Sequence, residues 1–184
     1  GLINTHTHLY QDIMKGMGSD LSLEDWFPKS MAPAGAVLRE RHVAAGVKLG
    51  LAEAIRCGVT TVADYMQLQP VKGLGKLELD IAKDMGVRMV YGRGYRDIGK
   101  KELVEKAEDV FADVTALKEE FEGDGMYRVW LAPAAGWGAS LELLKATREY
   151  ADRNATPIMM HMFETGTDDK ISRERKGKSA IRHY

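Results

Sequence analysis

Two histidines stand one residue apart in GLINTHTHLYQ, His6 and His8, at the end of a short apolar run. In a strand, alternate residues face the same way. Imidazoles at i and i+2 therefore converge, and two nitrogens there can hold a divalent ion such as zinc. The pair also reads as two unrelated polar residues at a strand end. A third histidine, His161, lies in PIMMHMFET, again near the end of an apolar run. A lone imidazole in such a run also serves as a satisfied core residue. In one layer with the first pair, it completes a facial set of three ligands from two strands. A catalytic metal site of this kind keeps a position open for water. Glu164 follows His161 by three residues. Its carboxylate could take a proton from a water whose pKa a metal has lowered and hand it to a leaving group. A carboxylate ahead of a helix N-terminus looks the same.

Other residues carry weaker signals. Asp64 ends a strand in VADY and could equally cap the next turn. Arg93, after the third strand, could clamp an anionic or carbonyl group of a substrate, or sit in a surface ion pair. Trp26, Trp130 and Trp137 could line a pocket for a ring. Trp130 lies inside a strand and reads as core. Trp137, in the loop APAAGWGAS, is the substrate-pocket residue of the three. His42 reads as mid-helix and His183 as part of a final helical stretch, both on the surface.

These residues need elements to hold them. Leu2–Asn4 reads as a strand entering the histidine pair. Residues 16–35, rich in Gly, Pro, Ser and Asp, read as a loop. Residues 37–56 carry Val43, Val47, Leu51 and Ile55 at helical spacing, and Gly58 follows as a C-cap. VTTVAD is a β-branched strand, LGKLELDIAKDMG a helix closed by Gly86, and VRMVYGRG a third strand. Residues 100–122 read as one long charged helix. YRVWLAP, SLELLKATREYADRN and TPIMMHMFE follow as strand, helix and strand. The last stretch, from Asp168, is polar and weakly helical, and its charge run from Lys170 to Lys178 reads as a solvated surface.

Five short, nearly all-apolar strands alternating with helices predict a parallel sheet covered by helices. The two architectures of that class are an open doubly wound sheet and a (β/α) barrel. A nucleotide-binding sheet would carry G-x-G-x-x-G after the first strand. THTH stands there instead, and the GRG at 92–94 lacks the later glycine.

The 184 residues carry a formal net charge of −1, which gives no electrostatic case for nucleic acid or an acidic membrane. The single cysteine, Cys57, excludes an internal disulfide framework and fits a reducing, cytoplasmic setting. No apolar run approaches the ~20 residues a membrane span needs, and no secretory leader opens the chain. A start at Gly1 without Met reads as a cut through a longer protein.

GLINTHTH, CGVTTVAD and MHMFET, in that order along nearly the whole chain, resemble the metal-dependent amidohydrolase superfamily. The branch it is most similar to holds S-adenosylhomocysteine and guanine deaminases and triazine hydrolases. The resemblance implies a TIM-type (β/α)8 barrel, of which residues 1–184 would supply about the first five β/α units. It implies one divalent ion, zinc or alternatively iron, held by His6, His8 and His161, with Glu164 touching substrate and shuttling protons. It implies hydrolysis of C–N or C–Cl bonds on a small heterocyclic substrate, deamination first among them, by attack of metal-bound hydroxide. A homo-oligomeric full-length protein is the corresponding expectation.

The chain also departs from that pattern. A histidine on strand six, an aspartate on strand eight and the flanking β-sandwich would lie outside these residues, since a full barrel takes ~250. His183 falls too early to replace the former. The fragment alone is then expected to be inactive, and a non-catalytic metal-binding or structural half-barrel is the competing reading. Adenosine-type relatives carry a histidine where this chain has Ala134, and a ribose-binding glutamate where it has Gly35. Both changes argue against a nucleoside and leave a free base, a pterin or a triazine-like ring. YRVWLAP has no lysine to bridge two metals, so a single ion is expected.

Overall fold

The computed structural model describes residues 1–67, 69, 71–134 and 138–182. Four strands form one sheet: β1 (Leu2–Thr7), β2 (Val59–Met66), β3 (Arg88–Tyr95) and β4 (Tyr127–Pro133). They lie in the order β1-β2-β3-β4, all parallel. Parallel neighbours need a crossover between them, and the intervening helices supply it. The strand-helix alternation read from the sequence is therefore the architecture observed.

Three expectations need correction. Residues 16–35 are largely helical rather than a loop. They hold α1 (Leu23–Trp26), a wide turn over Phe27–Met31 and α2 (Ala32–Val37). Ser22 starts this run by accepting the Asp25 N–H at 3.3 Å, which offsets the Gly and Pro signals around it. The helix expected from residue 37 is α3 (Glu40–Arg56), so His42 sits in its first turn rather than mid-helix. There its Nδ1 accepts the Arg39 N–H at 3.1 Å. The long helix expected over 100–122 is split into a short 3₁₀ turn (Lys101–Leu103) and α5 (Ala107–Phe121). The break frees Glu105 to reach Arg93 on β3.

The remaining helices are α4 (Leu74–Asp84), α6 (Leu141–Asn154) and α7 (Gly166–Lys176). The fifth expected strand is only partly formed. Ile158 bridges Leu131 in parallel, with Leu131 N–H to Pro157 O at 3.0 Å and Met159 N–H to Leu131 O at 2.8 Å. Beyond that bridge, residues 159–165 form no further strand pairing among the described residues.

The core lies between sheet and helices, where Val62, Met66, Met89, Tyr91, Val129 and Leu131 meet Val47, Leu79, Val114 and Leu143. Close approaches rest on missing side chains. A Cβ at Gly46 would stand 2.7 Å from the Tyr10 carbonyl oxygen, so α3 can lie directly against the 3₁₀ turn Leu9–Met14. A Cβ at Gly92 would run into the Met159 sulfur. Glycine there lets Met159, two residues before His161, tuck against the sheet's inner face.

Candidate metal centre

His6 ends its side chain at the carboxyl end of β1, and His8 follows on the same face as the chain leaves the strand. His161 comes from the extended segment at the far side of the sheet. The sheet curls enough to bring all three together. The Nε2 atoms of His6 and His161 are 3.1 Å apart. One ligand atom from each of His6, His8 and His161 falls within 4.8 Å of the others. The carboxyl ends of the strands are where parallel barrels place their chemistry.

His8 donates its Nδ1–H to the Tyr65 carbonyl oxygen at 2.6 Å. That bond fixes the tautomer and leaves Nε2 with a free lone pair, as metal-binding imidazoles require. Burial lowers the His8 pKa to about 4, against the bond to Tyr65, with His161 and His6 adding to the drop. Burial, then His6, lowers His161 to about 4 as well. Both rings are thus neutral donors near neutral pH. Nitrogens around a tetrahedral zinc lie about 3.3 Å apart, given Zn–N bonds near 2.0–2.1 Å. The 3.1 Å His6–His161 spacing is close to that, so this donor set fits a divalent ion.

A cavity of about 430 Å³ opens onto the histidines, a size suited to one small ring system. Its wall carries Tyr65, Arg96, Ala134, Trp26 and Phe27, and Glu164 stands at its rim. Burial, then Asp168, raises the Glu164 carboxyl above its ordinary range. Tyr65 is locked in place by its hydroxyl, which reaches the carbonyls of Ala132 at 3.0 Å and Pro133 at 2.7 Å. Its ring also meets the His161 ring edge-on, with centroids 4.4 Å apart. Arg96 is buried and stacks its guanidinium over Phe27 at 5.2 Å.

The structure thus gathers His6, His8, His161 and Glu164, together with Trp26. It does not bring Arg93 there. Arg93 is buried on the helix side of β3, forked onto Glu105 at 2.6 and 2.8 Å and bonded to Asp113 at 2.7 Å. With its bond to the Gly94 carbonyl, four of its five N–H groups are so engaged, and it does not line the cavity, so the substrate role read for it is corrected. Arg93→Met is expected to cost about 2 kcal/mol in urea unfolding, since charge-assisted hydrogen bonds are lost but both carboxylates can rehydrate. The KM for any substrate should stay unchanged in that variant.

Trp130 is half-buried and lines a second opening beneath the histidines, beside Met159 and Thr5, rather than the closed core. Trp137 and His183 lie outside the described residues. Sequence reading missed Tyr65 and Arg96. Tyr65 alternates with Ala63 on the inner face of β2, a period-two signal that was open to reading. Arg96 falls just past the end of β3, where no periodicity points.

The amidohydrolase family profile matches residues 1–184, the whole chain. This chain belongs to the amidohydrolase family. Among curated relatives of this amidohydrolase, the 5'-deoxyadenosine deaminase of Methanobrevibacter smithii is 33% identical over 171 residues, covering 90% of this chain and 36% of that protein. The 5-methylthioadenosine/S-adenosylhomocysteine deaminase of Thermococcus onnurineus is 29% identical over 182 residues, covering 98% and 41%. Among solved structures, the zinc complex of atrazine chlorohydrolase from Arthrobacter aurescens superposes with a TM-score of 0.91 at 22% identity, over 100% of this chain and 45% of that one. Guanine deaminase from C. acetobutylicum, solved with guanine bound, gives 0.89 at 17% identity, over 100% and 45%. The amidohydrolase chain thus has the fold of part of the family's barrel and spans less than half the length of these relatives.

Proposed function

We propose that this chain is the metal-holding part of a mononuclear, zinc-dependent aminohydrolase that releases ammonia from a heterocyclic base. The observation that carries the reading is the convergence of His6, His8 and His161 from opposite sides of the sheet. A divalent ion bound by them would supply a Lewis acid able to lower the pKa of a water toward neutrality. The chain's own residues do the rest. The Tyr65 carbonyl orients His8. Glu164, with its raised carboxyl pKa, takes a proton at the cavity rim and returns it to the leaving nitrogen. Trp26 and Phe27 offer flat apolar surfaces to a ring. Arg96 puts a cation on the same wall, which favours a ring with a carbonyl edge.

The substrate reading rests on Ala134. Its methyl group forms part of the cavity wall, where adenosine-type relatives would present an imidazole. Gly35 is buried within α2 and offers no carboxylate for a ribose. Free purines, pterins or triazines therefore suit the site better than nucleosides. A cytoplasmic setting agrees with the exposed thiol of Cys57. No helix among the described residues is long and apolar enough to cross a membrane. The catalytic reading is favoured over an inert half-barrel because three imidazole nitrogens converging at an open cavity serve no packing purpose.

The test is a panel of amino-substituted purines, pterins, triazines and their ribosides, offered to the zinc-loaded, complete polypeptide. Ammonia release from one or more free bases, faster than from the matching riboside and abolished by chelator, is the expected result. No turnover of any ring by fully loaded protein would overturn the assignment.

A further inference from the structure

On the helix side of the sheet, directly behind the metal centre, two acidic side chains are sealed from water. Asp64 on β2 and Glu78 on α4 are both 0% exposed. The inner face of α4 is otherwise apolar, built from Leu74, Leu79 and Ala82, so Glu78 interrupts a core stripe. One Asp64 oxygen, Oδ1, accepts the Leu9 N–H at 2.6 Å. Among the described residues, no conventional donor reaches Asp64 Oδ2, Glu78 Oε1 or Glu78 Oε2. The two carboxyls face each other.

Two carboxylates cannot both stay ionised in such a place. Burial opposes each charge, and each charge opposes the other. Among the described residues neither carboxyl forms an ion pair or bonds a cation; the buried Tyr91 hydroxyl, itself bonded to Gln69, feels the charge of both. A single proton held between the two carboxyls joins two of the three orphaned oxygens in one O–H···O hydrogen bond. The direction of the shifts agrees: burial raises Asp64 to about 6 and Glu78 well above its ordinary range.

We propose that Asp64 and Glu78 share one proton and act together as a positioning pair that anchors the chain at Leu9 and so sets His8 toward the metal. Leu9 is the residue immediately after His8, where β1 gives way to the 3₁₀ turn Leu9–Met14. His8 is thereby held at two points. Its ring bonds to the Tyr65 carbonyl, and the backbone just beyond it bonds to Asp64, the neighbour of Tyr65 on the same strand. The proton on Glu78 keeps Asp64 pointed at Leu9 rather than turned toward water. This inference rests on the proposed metal role of His8.

The experiment uses the complete polypeptide, loaded with cobalt as well as zinc. Wild-type protein should show the infrared C=O stretch of a buried, protonated carboxyl; Glu78→Gln should lose it, and Asp64→Asn, which changes its hydrogen-bond partner, should shift it. Absence of that band in wild type would overturn the shared proton without any variant having to fold. Glu78→Leu strips Asp64 of its partner. It should speed Leu9 amide exchange, shift the cobalt d–d bands and weaken metal affinity about tenfold or more, the scale typical of lost outer-shell support. Glu78→Gln supplies an N–H in place of the proton and should keep affinity within about threefold of wild type. If Glu78→Leu matches wild type in all three measurements, the positioning role is wrong. His6→Ala is the control: if it too leaves metal affinity intact, the ligand assignment itself fails, and with it the role of the pair.

Discussion

In the complete polypeptide, His161→Ala is expected to lose its metal. His161 is one of three nitrogen donors in the described residues, and its Nε2 lies 3.1 Å from that of His6. Removing an outer partner of a ligand typically costs 10–100-fold in metal affinity; removing the ligand itself should cost more than about a hundredfold. The protein should emerge from dialysis with well under one equivalent of zinc by elemental analysis, and with the proposed deaminase activity lost in proportion. Folding should survive, because the His161 ring lines the cavity and is not part of the packed core. Retention of a full equivalent of tightly bound zinc by His161→Ala would show that the centre lies elsewhere.

Glu164→Gln should separate binding from chemistry. The side chain stands at the cavity rim and is not one of the three converging donors. Zinc content should therefore stay at the wild-type value. General acid-base groups contribute about 10²–10⁴ in rate, so kcat should fall on that order with KM little altered. The pH profile gives the sign. A carboxyl whose pKa is raised in the folded protein becomes a competent base only above that raised value. Wild-type activity should climb with pH through a limb above the usual carboxylate range, and that limb should vanish in the variant. A variant that keeps wild-type kcat would remove Glu164 from the mechanism.

Much of the centre was readable in the sequence because its signals are local. H-x-H works through the two-residue period of a strand, and H-x-x-E follows from a strand running into a helix. The sheet order was readable for the same reason, since each helix follows its strand at short range. What escaped depended on partners far apart in the chain. Arg93 shares a face of β3 with Tyr91 and Tyr95, and only the positions of Glu105 and Asp113 show that this face meets the helices. Glu78 could have been noticed as an acid at a core position of an amphipathic helix. Its meaning needed Asp64, which reads on its own as a turn residue. The helical turns in 16–35 were hidden because Gly and Pro mark boundaries of short helices as readily as loops.

His6 and His161 are 155 positions apart, yet their rings touch across the mouth of the sheet. An ion gripping both would act as a clasp between the first strand and the Pro157–Glu164 segment, which among the described residues meets the sheet at a single bridge. Binding energy would then double as folding energy, because no such grip exists in the unfolded chain. The segment from Pro157 to Glu164 would gain order as the ion enters and give it up as the ion leaves. Loss of metal would therefore be felt mechanically, as a loosening of that segment, as well as chemically at the cavity.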